Sequence, residues 1–185
     1  MGVTPHASVQ AFFHEVVSEA IERRAVRASE DAEYYLVMLL EEFLRQPIPD
    51  EPLSLKLATR EPGERVRVLK EVGDTSLYLS GFFSESLRRK VIRADFYMTL
   101  GRAAYHELAD RLAASRGARA VYHELSDGFP GFVEVLSEVS HQVSFDGGDV
   151  GKLYKKWLDT KAEWIERRLR ALGMMVPGAN DADHS

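Results

Sequence analysis

An all-α, single-domain bundle of six to eight helices around an apolar central helix is what this sequence predicts. Two observations carry that reading. Apolar residues recur at three- and four-residue spacing along almost the whole chain, and no segment alternates apolar and polar side chains between turn signals. A length of 185 residues suits one domain with a sizeable core, and no long polar linker divides it. Residues 1–173 therefore read as one domain. Residues 174–185, which contain Pro, Gly, Asn and Asp without periodicity, read as a disordered tail.

Each element follows from local signals. Val9, Phe12, Phe13, Val16, Val17, Ala20 and Ile21 form the first helical stripe. Ser29 stands where an N-cap is needed, with Glu30 and Asp31 at the positive end of the helix dipole. The helix it opens, over 30–45, is apolar nearly all round at its centre, which predicts a place inside the bundle with Tyr35, Leu39 and Phe43 buried. Pro47, Pro49 and Pro52 predict a stiff connection, because each ring removes a backbone donor. A short helix over 53–60 follows, then a long stripe: Val66, Leu69, Val72, Leu77, Phe83 and Leu87. Gly73 and the Ser80-Gly81 pair interrupt it and predict either a kink or a closely packed neighbour.

Val91 and Ile92 read as part of a break, with Asp95 opening or capping the next helix. That helix carries Tyr97, Leu100, Gly101, Ala104, Tyr105, Leu108 and Leu112, and Gly117 ends it. A short helical piece over 121–125, a turn over 127–130 and a helix with Phe132, Leu136, Val139 and Val143 come next. A loop over 146–149 and a final helix over 150–172, with Trp157 and Trp164 inward, complete the pattern.

Composition excludes several function classes. Lys plus Arg is 24 and Asp plus Glu is 29, a net charge of −5, so no nucleic-acid partner is expected. There is no Cys, which removes disulfides, thiolate metal sites and cysteine nucleophiles together. The most apolar stretch, 34–40, is far short of the roughly 20 residues a membrane span needs, so no membrane association is expected. The first residues lack the charged-then-apolar layout of a secretory signal, and the cytoplasm is the expected location.

The segment Gly73-Asp74-Thr75-Ser76-Leu77-Tyr78-Leu79-Ser80-Gly81-Phe82-Phe83-Ser84-Glu85-Ser86-Leu87, followed by Asp95-Phe96-Tyr97, resembles a group of helical bacterial hypothetical proteins. Glu33-Tyr34-Tyr35-Leu36-Val37 and Leu153-Tyr154-Lys155-Lys156-Trp157-Leu158 extend the resemblance over most of the chain. It implies a bacterial all-α domain and brings with it no activity, cofactor, partner or site residue.

Two spacings bear on metal chemistry. His106-Glu107-Leu108-Ala109-Asp110 and His123-Glu124-Leu125-Ser126-Asp127 both read H-E-x-x-D, close to the H-E-x-x-H of zinc proteases. Glu138-Val139-Ser140-His141 has the Glu-x-x-His spacing of di-iron bundles, in a single copy. Neither spacing is completed by a second matching helix in this reading, so His106, Asp110, Glu138 and His141 are expected to be solvated and no cofactor is expected. Residues 146–152 lack the first Gly and the Ser or Thr of a phosphate loop. The basic residues of 155–170 alternate with Asp159, Glu163 and Glu166, as on a solvated mixed-charge face.

The segment most suggestive of function is 74–105. Asp74 lies in an otherwise apolar stripe and needs partners if buried. Asp74, Tyr78, Asp95, Tyr97, Arg102 and Tyr105 are expected to gather between the 73–87 and 95–112 helices. With no complete catalytic motif, the leading expectation is a non-catalytic protein that self-associates as a homo-oligomer or binds a protein partner. The alternative is a small-molecule sensor or an enzyme with its polar pocket at that cluster.

Overall fold

The computed structural model describes residues 5–46, 52–58, 61–82 and 91–145, together with Leu158, Lys161 and Glu166; within these, 5–8, 44, 91–94 and 143–145 are described by backbone alone. The described residues form seven helices and no strand: α1 Pro5–Arg24, α2 Glu30–Arg45, α3 Leu53–Leu57, α4 Pro62–Phe82, α5 Val91–Arg111, α6 Arg116–Asp127 and α7 Phe129–Phe145. This is the all-α bundle that the periodicity predicts. None of these helices is long and apolar enough to cross a membrane.

Local chemistry sets the helix ends. The Ser29 hydroxyl accepts from the Ala32 amide at 3.1 Å, which caps α2 at the predicted residue. Pro130 lies in the first turn of α7, where its missing N–H costs nothing, so Gly128 alone separates α6 from α7 and no loop spans 127–130. Three further boundaries differ from expectation. Helix α5 begins at Val91, so there is no break at Val91 and Ile92, and Asp95 is an exposed residue inside the helix rather than its cap. Helix α5 ends at Arg111, and Gly117 belongs to the first turn of a full-length α6. Capping and breaking preferences are weak local terms, and packing of the longer helix overrides them. Lys161 is non-helical with φ of 51°, so the run expected as one helix over 150–172 is interrupted there.

Helix α4 sits in the middle. It packs against α5 and α7, α5 folds back onto α6 as a hairpin, and α1 lies across α2 and α7. Of the three α2 residues expected in the core, Leu39 is buried but Tyr35 and Phe43 are half-buried; Leu36, Val37 and Leu40 are buried beside Leu39, while Tyr34 and Glu42 face solvent. The most enclosed stretch is in α4, where every residue from Val72 to Tyr78 is buried; Val66, expected on the inner stripe, is exposed. Helix α4 runs unbroken through Gly73 and Gly81, so those glycines mark close packing. A methyl group at Gly73 would overlap the Tyr105 ring, and one at Gly81 would overlap Leu136. The connection over 47–51, Phe83 to Leu87, the loop over 146–149, most of 150–172 and the 174–185 tail lie outside the described residues.

Candidate functional site

Burial forces chemistry on Asp74. A carboxylate in the enclosed half of α4 must be hydrogen-bonded, because an unpaired buried charge is very costly. Its donors come from three helices. Tyr35 OH of α2 donates to Oδ1 at 2.5 Å, Tyr105 OH of α5 donates to the same oxygen at 2.8 Å, and Lys70 Nζ, one turn earlier on α4, donates to Oδ2 at 2.7 Å. Gly73 leaves the room that the Tyr105 ring occupies. Tyr122 of α6 closes the cluster, its ring 5.6 Å from Tyr35 and stacked on Tyr105 at 5.8 Å.

The titration behaviour follows from this burial. Desolvation, reinforced by neighbouring phenols and the Asp74 charge, pushes the Tyr35 phenol well above the ordinary tyrosine range. Desolvation and Asp74 do the same to Tyr105, and burial raises Tyr122. Burial opposes the charge on Lys70, but the charge and hydrogen bond of Asp74 outweigh it and raise the ammonium. Near neutrality the phenols are therefore donors and Lys70 is a cation.

Of the six residues expected to cluster, Asp74 and Tyr105 meet and the other four do not. Tyr78 stacks on Phe43 at 4.2 Å and on Phe82 at 5.2 Å. Tyr97 is half-buried, edge-on to Phe96 at 5.6 Å. Asp95 and Arg102 are exposed; the Arg102 side chain shares the outer face of α5 with His106, one turn on. The cation on Asp74 is Lys70 instead, since i, i+4 spacing places it on the same face of α4. Tyr35, Lys70 and Tyr122 are the members that sequence reasoning missed. For Lys70 that spacing was the available signal; Tyr35 was legible only as a core residue.

Small residues let the described parts of α4 and α5 close on each other, with Gly101 against Phe129 and Ser76. A groove of about 450 Å³ runs between α2 and α4, lined by Tyr35, Met38, Leu39, Glu41, Glu42, Arg45, Gln46, Lys70 and Asp74. A hollow of about 270 Å³ adjoins it, sharing Glu42, Gln46, Lys70 and Asp74 and adding Arg67 and Glu71. Two ion pairs of one design line the groove. Arg45 meets Glu41 at 2.9 Å and Lys70 meets Asp74 at 2.7 Å, with the cations 45% and 43% exposed and the carboxylates 3% and 8%. Burial raises the Glu41 carboxyl above its ordinary range.

The metal-like spacings resolve differently from each other. Glu138 is held by Arg24 at 2.9 Å and Arg23 at 3.5 Å across to α1, and the Arg24 hydrogen bond keeps its carboxyl low; His141 is exposed. His106 and Asp110 form the expected exposed pair at 3.7 Å. The second copy, however, does come to meet the first. His123 lies 3.9 Å from the other oxygen of Asp110, and its ring is 5.7 Å from that of His106. The signal for this was a longer repeat: Arg102–Asp110 and Arg119–Asp127 agree at seven of nine positions, R-A-x-Y-H-E-L-x-D. In an antiparallel hairpin, a repeat so placed brings like residues face to face about a local two-fold, tyrosines on the inner side and histidines on the outer. Among the described residues no three such groups stand close enough to hold a metal ion as they are. Compared with known proteins, the chain matches no family model, no curated protein and no solved structure.

Proposed function

We propose that this protein binds a small polar molecule carrying a carboxylate or phosphate in the α2–α4 groove, without chemistry on it. The observation behind this reading is the pair of half-exposed cations, Arg45 and Lys70, lining one groove and each backed by a buried carboxylate. The groove volume falls within the roughly 300–1,000 Å³ of small-ligand sites. A guanidinium and an ammonium in one groove suit an oxyanion, and Met38, Leu39 and the Tyr35 ring supply the apolar wall such sites need. Tyr35 keeps its proton and Lys70 its charge near neutrality, so neither serves as a base. The large apolar side chains exposed among the described residues, Tyr34, Leu55, Val66 and Phe96, lie on four different helices. Among the described residues, self-association or a protein partner therefore has no single helix face of large exposed apolar side chains to draw on.

Melting of the full chain against a panel of carboxylates, phosphates and, for contrast, amines tests the reading. At least one oxyanion is expected to raise the Tm, since a ligand of the native state stabilises it by mass action. Arg45→Gln and Lys70→Gln should remove that rise. Stabilisation by no oxyanion, by amines instead, or undiminished in both variants would overturn it.

A further inference from the structure

Where the two copies of the repeat face each other, we propose that His106, His123 and Asp110 bind one divalent transition metal of the zinc type, clamping the outer face of the α5–α6 hairpin. The two imidazole centres lie 5.7 Å apart. Two imidazoles on one tetrahedral ion, each at a bond length of about 2.1 Å, stand roughly 5 Å apart centre to centre. Asp110 already offers one oxygen to each ring, Oδ2 at 3.7 Å from His106 Nε2 and Oδ1 at 3.9 Å from His123 Nε2. A shared ion brings such atoms to about 3 Å, so the donors are too open as they stand. The remaining closure is on the order of 1 Å, and the side chains of His106 and Asp110 are more than half exposed and free to turn.

The donor set decides the class of ion. Two imidazoles and one carboxylate favour zinc, nickel or copper over the hard cations that prefer all-oxygen sites. Three protein ligands leave a fourth position for water. The glutamates of the repeat are engaged elsewhere. Glu107 takes a two-pronged hydrogen bond from Arg65 at 3.0 Å, and Glu124 accepts from the amide and hydroxyl of Ser29. The general base of a zinc protease is thus missing, and the site is one for binding only. Arg119 is a built-in competitor, its Nε donating to His123 Nε2 at 3.4 Å, onto the lone pair that the metal would take.

Calorimetric titration of the full-length protein with zinc chloride tests this. One saturable ion per chain is expected, with affinity falling roughly tenfold or more in His106→Ala, His123→Ala and Asp110→Asn. His14→Ala and His141→Ala should bind like the parent, and Arg119→Ala should bind several-fold tighter as its competing donor is removed. Circular dichroism of each variant confirms that these surface changes leave the fold in place. An absence of saturable binding, parent-like affinity in the three ligand variants, or an equal loss in His141→Ala would each overturn the proposal.

Discussion

The two halves of the α5–α6 hairpin are nearly the same peptide put to different uses. Leu108 and Leu125 are both fully buried, as helical period dictates for equivalent positions. The polar members diverge because their neighbours do. Tyr105 faces α4 and donates to Asp74, whereas Tyr122 sits at the rim of the cluster against the Tyr35 and Tyr105 rings. Glu107 ties α5 to α4 through Arg65 and also takes Arg111, while Glu124 holds Ser29 at the start of α2. Asp110 stands between two histidines, and Asp127 is exposed as the last residue of α6, at the negative end of its dipole. Sequence fixes which side a residue faces; the packed neighbour fixes what it does there.

Substitutions in matched pairs break or sharpen this comparison. The largest effects belong to Leu108→Ala and Leu125→Ala, which should each cost about 2–5 kcal/mol in urea unfolding. Strongly unequal losses would show that the two copies are not equivalent in the core. Next come Tyr105→Phe and Tyr122→Phe. The first leaves a buried carboxylate oxygen short of a donor and should cost about 1–3 kcal/mol, the second less than about 1 kcal/mol. Equal costs would mean that Asp74 is not the particular partner of the first copy. Alkaline titration adds to this pair. Folded-state pKa values of Tyr35 and Tyr105 are raised, so the stability tied to their neutral forms is complete below about pH 10 and is lost as pH rises through the folded values. Phenolate absorbance should therefore show these two ionising together with unfolding.

The smallest effect is at acid pH. The Arg65 hydrogen bond holds the Glu107 carboxyl below its ordinary range, so its contribution is present above about pH 4.3 and lost as pH falls through the folded value. Melting of the parent and Glu107→Gln between about pH 3 and pH 5 should converge towards the acid end. Curves that stay parallel would remove Glu107 from the acid response.

Local features were legible in the sequence and tertiary ones were not. Ser29 and the 30–45 period place α2 at its observed bounds, because a cap and a stripe are properties of adjacent residues. Asp74 stood out as a charge in an apolar stripe, and Tyr105 was one of several residues expected around it, the one that does donate to it. Tyr35 escaped because 39 residues separate it from Asp74, and nothing local distinguishes a phenol that packs from one that donates. Gly73 left two readings open, a kink or a close neighbour, until the Tyr105 ring was seen against it.

Asp74 also bears on the order in which the bundle assembles. Lys70 is supplied by the same helix, but the phenols come from α2 and α5, at sequence separations of 39 and 31 residues. If either helix docks without the other, the carboxylate loses water before its full set of donors has arrived, at a cost of the order of 1–3 kcal/mol for each missing hydrogen bond. Half-docked states are penalised by that amount, so α2 and α5 are coupled although they are far apart in the chain. Amide protons of the two helices should then exchange as one cooperative unit, with Asp74 as the side chain that joins them.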